Sequence, residues 1–291
     1  LPILIQNGGI FVWEAVAGAD DQSGSFIYSE LLAQGRQAVY GTAYPASFRS
    51  FDAVFLSFGA IGSNIQRINE AWIYEAMRDY LYDGGRLYVE GADAIGFDLA
   101  YYLALEEGGA GAHTVLWPLL GISNASDGTT NPINLLSGNL PFSELSFSAT
   151  SQSNVDYIDL FVPHPQYGYS ALSEDGYGIV GIAAHGQYSQ KSVVFSYALA
   201  ELIDAAEPNT RQNLLHDIIV WFIDSPQADM QISPAGLELI WTADPLARSY
   251  RIFHSEHPED GFTLLADDLN ASCYSIDPEQ HHRFYKIQAL P

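Results

Sequence analysis

Cysteine is almost absent from the 291-residue sequence, and Cys273 is its only representative. A single thiol forms neither an intrachain disulfide framework nor a cysteine-based zinc site. The low count leaves the cellular compartment open, because secreted proteins need not contain disulfides. We predict that Cys273 is a small core residue.

Basic residues are the second shortage. The sequence has 11 Lys and Arg against 35 Asp and Glu, for a formal net charge of −24. Two of the basic residues are lysines, Lys191 and Lys286. This charge repels nucleic-acid phosphates and anionic membranes, and therefore argues against both as partners. It suits divalent cations and a salty or extracellular setting.

Long apolar runs are also missing. No stretch reaches the roughly 18–20 residues needed to cross a bilayer, so we expect no direct membrane insertion. The sequence begins at Leu1 with neither Met nor a signal-like segment, and we expect a processed mature form or an excised segment. With 48% apolar residues, the chain can bury the core of one large domain or of two.

The first part of the chain alternates between strand and helix patterns. Short apolar runs predict four strands, at residues 2–5, 38–40, 53–58 and 87–89. Residues 10–21 between the first strand and the first helix are predicted as a loop. This order of elements predicts an α/β fold, with a doubly wound, mainly parallel sheet and helices on both faces.

Helical spacing is found in several segments of the same region. A first helix starts at Ser23 or Ser25, ends at Gly35 and has Ile27, Leu31 and Leu32 on its apolar face. A second is capped by Asn69, and its apolar face comprises Ile73, Ala76, Met77, Tyr80 and Leu81. Two further helices are predicted, at residues 97–107 and after residues 208–210.

Strand patterns follow in the second half of the chain. Residues 121–155 are rich in Ser, Asn, Gly and Thr and predict a long surface excursion with short strands. Residues 177–184 and 191–197 predict a hairpin. After residues 224–226, short alternating runs separated by turn residues predict a small all-β sandwich. We therefore predict two domains, at residues 1–225 and 228–291.

Two family resemblances accompany these patterns. The motifs ILIQNGG, FDAVFLSFG, GGRLYVEGAD and GIVGIAAHG…KSVVFSYALAEL resemble a class I glutamine amidotransferase-like domain of the flavodoxin-like, trehalose-utilisation-protein-like kind. The last 65 or so residues, with Leu239, Trp241, the strand around Tyr250 and the closing RFYKI, resemble a fibronectin type III domain. Similar pairs of domains occur in secreted and cell-surface proteins of Bacteroidetes-like bacteria.

The amidotransferase resemblance implies a thiolate nucleophile on the turn after a central strand, with a histidine as base. Here that turn is Glu90-Gly91-Ala92-Asp93 and contains no Cys, Ser or Thr. The candidate catalytic residues are therefore Glu90, Asp93 and His185. In one interpretation the carboxylates act in a glycan-directed hydrolase. In the other, Glu90 caps backbone amides and Asp93 caps the following helix.

The acidic loops are candidates for calcium. Asp20 and Asp21 are adjacent, and Asp127 precedes a glycine, so these three are the candidate metal ligands. None of the acidic loops follows the spaced pattern of a calcium-binding loop. The phosphate-binding patterns GxGxxG and GxxxxGK[ST] are absent, which argues against nucleotide binding. We expect no cofactor other than calcium.

Because the nucleophile is missing, we expect a non-catalytic binding or structural protein, secreted or displayed at the cell surface. A self-assembling surface or filament subunit is one form of this hypothesis. Its partners would be other copies of itself, other surface proteins or glycans. The alternative is a secreted hydrolase that acts on glycans through carboxylates near Glu90 and Asp93.

Overall fold

The structure is a computed structural model. It describes residues 8–15, 23–59, 68, 70–92, 94–96, 113–128, 136–139, 141–142, 144–149, 158–223, 228–233, 236–257, 260–276 and 284–291. The chain divides into two compact units, Leu1–Ile218 and Ile219–Pro291. The division falls within the helix Arg211–Phe222. The boundary predicted from the sequence, at residues 225–228, lies just after that helix, where helical spacing gives way to short alternating runs.

The first unit contains a large sheet and a small number of helices among its described residues. Its strands are β1 Ile10–Glu14, β2 Ala38–Gly41, β3 Ala53–Ser57, β4 Arg86–Glu90, β5 Ile122–Ser126, β6 Leu136–Gly138, β7 Ser146–Ala149, β8 Leu160–Pro163, β9 Gly168–Glu174, β10 Gly178–His185, β11 Lys191–Phe195 and β12 Leu202–Ile203. Its helices are α1 Ser23–Ala33, α2 Ala71–Tyr82, α3 His113–Leu119 and α4 Arg211–Phe222. Helix α4 extends into the second unit. A short 3₁₀ turn at Leu199–Glu201 precedes β12.

Ten of these strands form one sheet, in the order β12-β7-β6-β9-β10-β11-β4-β3-β1-β2. From β11 to β2 every pairing is parallel. From β11 to β12 every pairing is antiparallel. The expected α/β class is confirmed, and the predicted hairpin is the β10–β11 pair. The predicted excursion supplies β6 and β7, which extend the same sheet.

The first described strand lies where the sequence predicted a loop. Residues 2–5, the predicted first strand, are outside the described residues. Instead β1, with the sequence IFVWE, lies between β2 and β3, and all five of its residues are buried. The loop prediction was wrong because a pair of glycines can precede a strand as well as end one. These glycines precede β1, where the Gly9 amide donates to Asp52 Oδ2 at 2.6 Å.

Helices pack on both faces of the parallel part of the sheet. Met77 of α2 belongs to one core cluster with Val54 of β3 and Leu87 of β4. On the opposite face, the Gly24 amide of α1 donates to Glu14 of β1. All five residues predicted for the apolar face of α2 are buried. Within the described helices, none combines the length and apolar character that crossing a bilayer requires.

Individual helix predictions had mixed outcomes. In α1, Ile27 and Leu31 are buried as predicted, but Leu32 is 46% exposed. The Leu32 prediction was wrong because a neighbour of Leu31 is turned about 100° around the helix axis and faces away from the sheet. Asn69, the predicted cap, and residues 97–107, a predicted helix, lie outside the described residues.

The second unit contains two three-stranded antiparallel sheets among its described residues, in the orders β13-β14-β17 and β16-β15-β18. Their strands are β13 Ala228–Ser233, β14 Gly236–Trp241, β15 Ser249–Ser255, β16 Thr263–Leu269, β17 Cys273–Ile276 and β18 Phe284–Leu290. Leu239 and Ile276 of one sheet share a core cluster with Tyr250, Ile252 and Ile287 of the other. The predicted all-β character of this region is therefore observed.

Cys273 is exposed, which corrects the prediction of a core residue. Side chains alternate between the two faces of a strand, and in β17 Ile276 faces the core. Cys273, three residues earlier, therefore faces solvent.

Candidate functional site

The carboxyl ends of the parallel strands bring three polar side chains into one row. Glu14 of β1 pairs with Ser57 of β3, and Ser57 pairs with Glu90 of β4. Side chains at paired positions point to the same face of a sheet, here the face that carries α1. Ligands of α/β sheets bind at this edge. We call Glu14, Ser57 and Glu90, together with the nearby Tyr197, the strand-end cluster.

Glu90 is completely buried within this cluster. Its Oε2 accepts hydrogen bonds from the Tyr88 hydroxyl at 2.8 Å and from the Leu199 amide at 2.7 Å. The Leu199 amide belongs to the first residue of the 3₁₀ turn, so the carboxylate caps the start of that turn. Glu90 therefore makes the backbone contact expected of a structural carboxylate.

Burial raises the pKa of Glu90 above its ordinary value. The hydroxyls of Ser23, Ser57 and Tyr88 and the Leu199 amide act in the opposite direction, and burial has the larger effect. Within the described residues, Glu90 Oε1, Ser57 Oγ and the Tyr197 hydroxyl are buried without a hydrogen bond of normal geometry. Burial of this kind penalises the charged form, so the carboxyl group holds its proton to a higher pH than an exposed glutamic acid does.

Glu14, Ser57 and Tyr197 are members of this cluster that the sequence did not predict, and Glu14 is the charged one among them. Its Oε1 accepts a hydrogen bond from the Gly24 amide at 3.2 Å, near the start of α1, and its Oε2 accepts one from the Tyr40 hydroxyl. Burial, reinforced by Glu14, raises the pKa of Tyr40. The available signal was a single carboxylate after the four apolar residues IFVW, but the loop prediction for residues 10–21 conceals it.

Gly91, the residue after Glu90, is in a backbone conformation that favours glycine, with φ of 150°. A Cβ atom at this position would lie 2.9 Å from Phe58 Cβ and 3.2 Å from the Gly59 carbonyl oxygen. The turn that places Glu90 against Leu199 therefore has no room for a side chain at residue 91.

The Gly91→Ala variant is expected to lose about 2 kcal/mol in free energy of unfolding, because it combines backbone strain with a core clash. Gly176→Ala is the matched control, since Gly176 also has positive φ, at 86°, but nothing lies within 4 Å of its added Cβ. We expect the control to lose about 1 kcal/mol. Urea denaturation measures both, and equal losses would contradict the tight packing of this turn.

The structure does not bring His185 to Glu90. His185 pairs with Lys191, and Lys191 pairs with Arg86 at the start of β4. Glu90 lies four residues further along β4, about 13 Å away at the usual rise of a strand. The two residues therefore lie at opposite ends of the strands. His185 is exposed. Asp93 lies outside the described residues.

The candidate calcium ligands are not assembled by what the structure describes. Asp127 is exposed just after β5, and Asp20 and Asp21 lie outside the described residues. In the described part of the chain, no three His, Cys, Asp or Glu side chains are close enough to hold a metal ion together. Calcium binding by the loops stays a prediction.

A second feature is a groove of about 400 Å³ on the surface of the first unit. We call it the α2 groove, because half of its lining comes from that helix and the rest from the segment between β2 and β3. Its lining residues are Tyr44, Ala46, Ser47, Arg49, Trp72, Glu75, Ala76 and Asp79. Unlike the strand-end cluster, the groove is accessible to solvent.

Comparisons with known proteins give no family assignment. No family model and no curated protein matches the chain. Among solved structures, the chain is similar to a protein from Thermoplasma acidophilum that is described as one subunit of a GMP synthase. The identity is 11%, the TM-score is 0.44, and the match covers 74% of this chain and 94% of that one. A score at this level supports no conclusion about activity.

Proposed function

We propose that this chain is a non-catalytic binding protein whose first unit retains an enzyme-like α/β scaffold without its reaction. One observation carries the proposal. At the strand end where the resemblance implies a nucleophile, the turn contains no Cys, Ser or Thr. The neighbouring Glu90 has no exposed surface and uses its Oε2 to cap a backbone amide. A carboxylate in that state is a structural anchor.

The scaffold is, in this proposal, amidotransferase-like, and the second unit is a fibronectin type III-like module. The two stacked three-stranded sheets of the second unit support the latter. The formal charge of −24 supports a secreted or cell-surface location. Bacteroidetes-like surface proteins are the proposed setting, with glycans, other surface proteins or further copies of the chain as partners.

In one version of the proposal, copies of this chain associate with one another. Apolar side chains that are large and exposed occur in both units, including Tyr169 at 48% and Leu264 at 51% exposure. An interface between copies would have to bury more than about 1,000 Å² to be stable. The acidic surface opposes such contacts at low salt, because like charges repel over about 10 Å at 0.1 M ionic strength.

One experiment with three readouts tests the proposal on the intact chain. Samples are incubated with glutamine or with a panel of oligosaccharides, and ammonia and shortened sugars are measured. We expect neither product above the level of a Glu90→Gln control. Sedimentation velocity on the same samples, at low and high salt, reports self-association. If the parent forms product and Glu90→Gln does not, the non-catalytic assignment is wrong. If the chain is a monomer at high concentration at both salt concentrations, the proposal that it self-assembles is wrong.

A glycan-directed hydrolase is the second candidate, and one observation favours it. Glu14 and Glu90 flank Ser57 on one face of the sheet, two strand spacings apart. This corresponds to about 10 Å between their backbones, close to the carboxyl separation of inverting glycosidases, although both side chains are buried and a sugar could reach them only after the strand-end cluster opens. The oligosaccharide arm of the experiment above decides between the candidates, with Glu14→Gln as the additional variant.

A further inference from the structure

The α2 groove presents one aromatic ring to solvent in a fixed orientation. Trp72 is 46% exposed, although it is a large apolar residue. Its indole Nε1 donates to Glu70 Oε2 at 2.6 Å, and its ring packs edge-on against Tyr44 with centroids 5.3 Å apart. The Tyr44 hydroxyl in turn donates to the Ile73 carbonyl at 3.0 Å. The ring is therefore held in place before any ligand arrives.

Polar groups line the rest of the groove and retain hydrogen-bonding capacity. Asp79 is bound by Arg78 through Oδ1, at 2.8 Å, and its side chain is half exposed. Glu75 lies 3.9 Å from the same guanidinium and is exposed to a similar extent. Arg49 pairs with Asp83 and is also exposed. A carboxylate can accept about four hydrogen bonds and a guanidinium can donate five, so each group has capacity left for a ligand.

From these contacts we infer that the α2 groove binds a neutral saccharide. The sugar ring stacks on the exposed face of Trp72, and its hydroxyls bond to Glu75, Asp79 and Arg49. The volume of about 400 Å³ lies in the range of small-molecule sites. The inference rests on the proposed binding function and gives that function a ligand class and a location.

The charges of the groove distinguish a saccharide from charged ligands. An anion meets the carboxylates of Glu75 and Asp79 and the overall charge of −24. A cation meets the guanidinium of Arg49 at the groove, and Arg78 already neutralises part of the carboxylate charge nearby. Sugar hydroxyls both donate and accept hydrogen bonds, and can therefore use both kinds of group.

Saturation-transfer NMR on the intact chain tests this site, with maltotriose, cellotriose and triacetylchitotriose as probes at about 1 mM. We expect transfer to at least one sugar. Trp72→Ala is expected to weaken that binding about tenfold, because the stacking surface is removed. Glu75→Gln should weaken it less. Tyr169→Ala is the control, since it removes an equally exposed aromatic ring elsewhere and should leave binding unchanged.

Each remaining outcome overturns one of the two proposals. If no probe binds, or if Trp72→Ala binds as well as the parent, the saccharide site is wrong, and the non-catalytic function stands on its own test. Displacement of the sugar by tetramethylammonium chloride would show that the groove selects cations and would also overturn the site. If a probe binds at Trp72 and is cleaved, the site stands and the non-catalytic function falls.

Discussion

The Trp13→Ala variant is expected to lose about 4 kcal/mol in free energy of unfolding, the largest loss that we predict. Trp13 is fully buried in β1, where its ring packs edge-on against Tyr44 and Phe58 at 4.9 and 5.0 Å. Its Nε1 also donates to the Thr42 carbonyl at 3.1 Å. Truncation therefore removes a large apolar surface, leaves a cavity and breaks the hydrogen bond to the Thr42 carbonyl.

Trp72→Ala is the matched control for this change, because the same side chain is removed from an exposed position. We expect it to lose about 1 kcal/mol, because about half of the ring is buried against Tyr44. Chemical denaturation followed by circular dichroism gives both values. Similar small losses in the two variants would contradict the placement of residues 10–14 as a strand between β2 and β3.

Glu90→Ala is expected to lose about 3 kcal/mol in free energy of unfolding, whereas Glu90→Gln is expected to retain or gain stability at pH 8. Alanine leaves the Tyr88 hydroxyl and the Leu199 amide without their acceptor. Glutamine keeps one carbonyl oxygen for them. Its amide group takes the place of Oε1, which has no hydrogen bond of normal geometry within the described residues.

Glu75→Ala serves as the control for Glu90→Ala, because its side chain is half exposed on α2. It should change the free energy of unfolding by no more than about 0.5 kcal/mol. If Glu90→Ala were equally mild, the carboxylate would not be the anchor of the 3₁₀ turn.

The sequence predicted those elements whose patterns are strong over several residues. The apolar face of α2 repeats with helical period, and its five predicted residues are all buried. The β10–β11 hairpin is marked by two β-prone runs around a short turn. Both depend on local chemistry, which a single sequence records directly.

The errors concern relations between distant segments. The run IFVWE is short, and four apolar residues that follow two glycines and precede Glu14 do not by themselves distinguish a strand from a loop segment. Its pairing with β2 and β3 identifies it as a strand. Placing Glu14 near Glu90 needs the order of strands across the sheet. Placing His185 needs the direction of β10. Because β10 runs antiparallel to β11, its carboxyl end lies beside the amino ends of the parallel strands.

The central claim is that the carboxyl group of Glu90 is a buried structural group. The most direct test measures the free energy of unfolding of the parent and of Glu90→Gln as a function of pH. Since burial raises the pKa of Glu90 in the folded state, its contribution to stability is fully present below the ordinary pKa of a glutamic acid. That contribution is lost as the pH rises through the folded-state pKa. We therefore predict that the stability of Glu90→Gln relative to the parent increases with pH across this window. A relative stability that is constant, or that falls as the pH rises, would contradict the account.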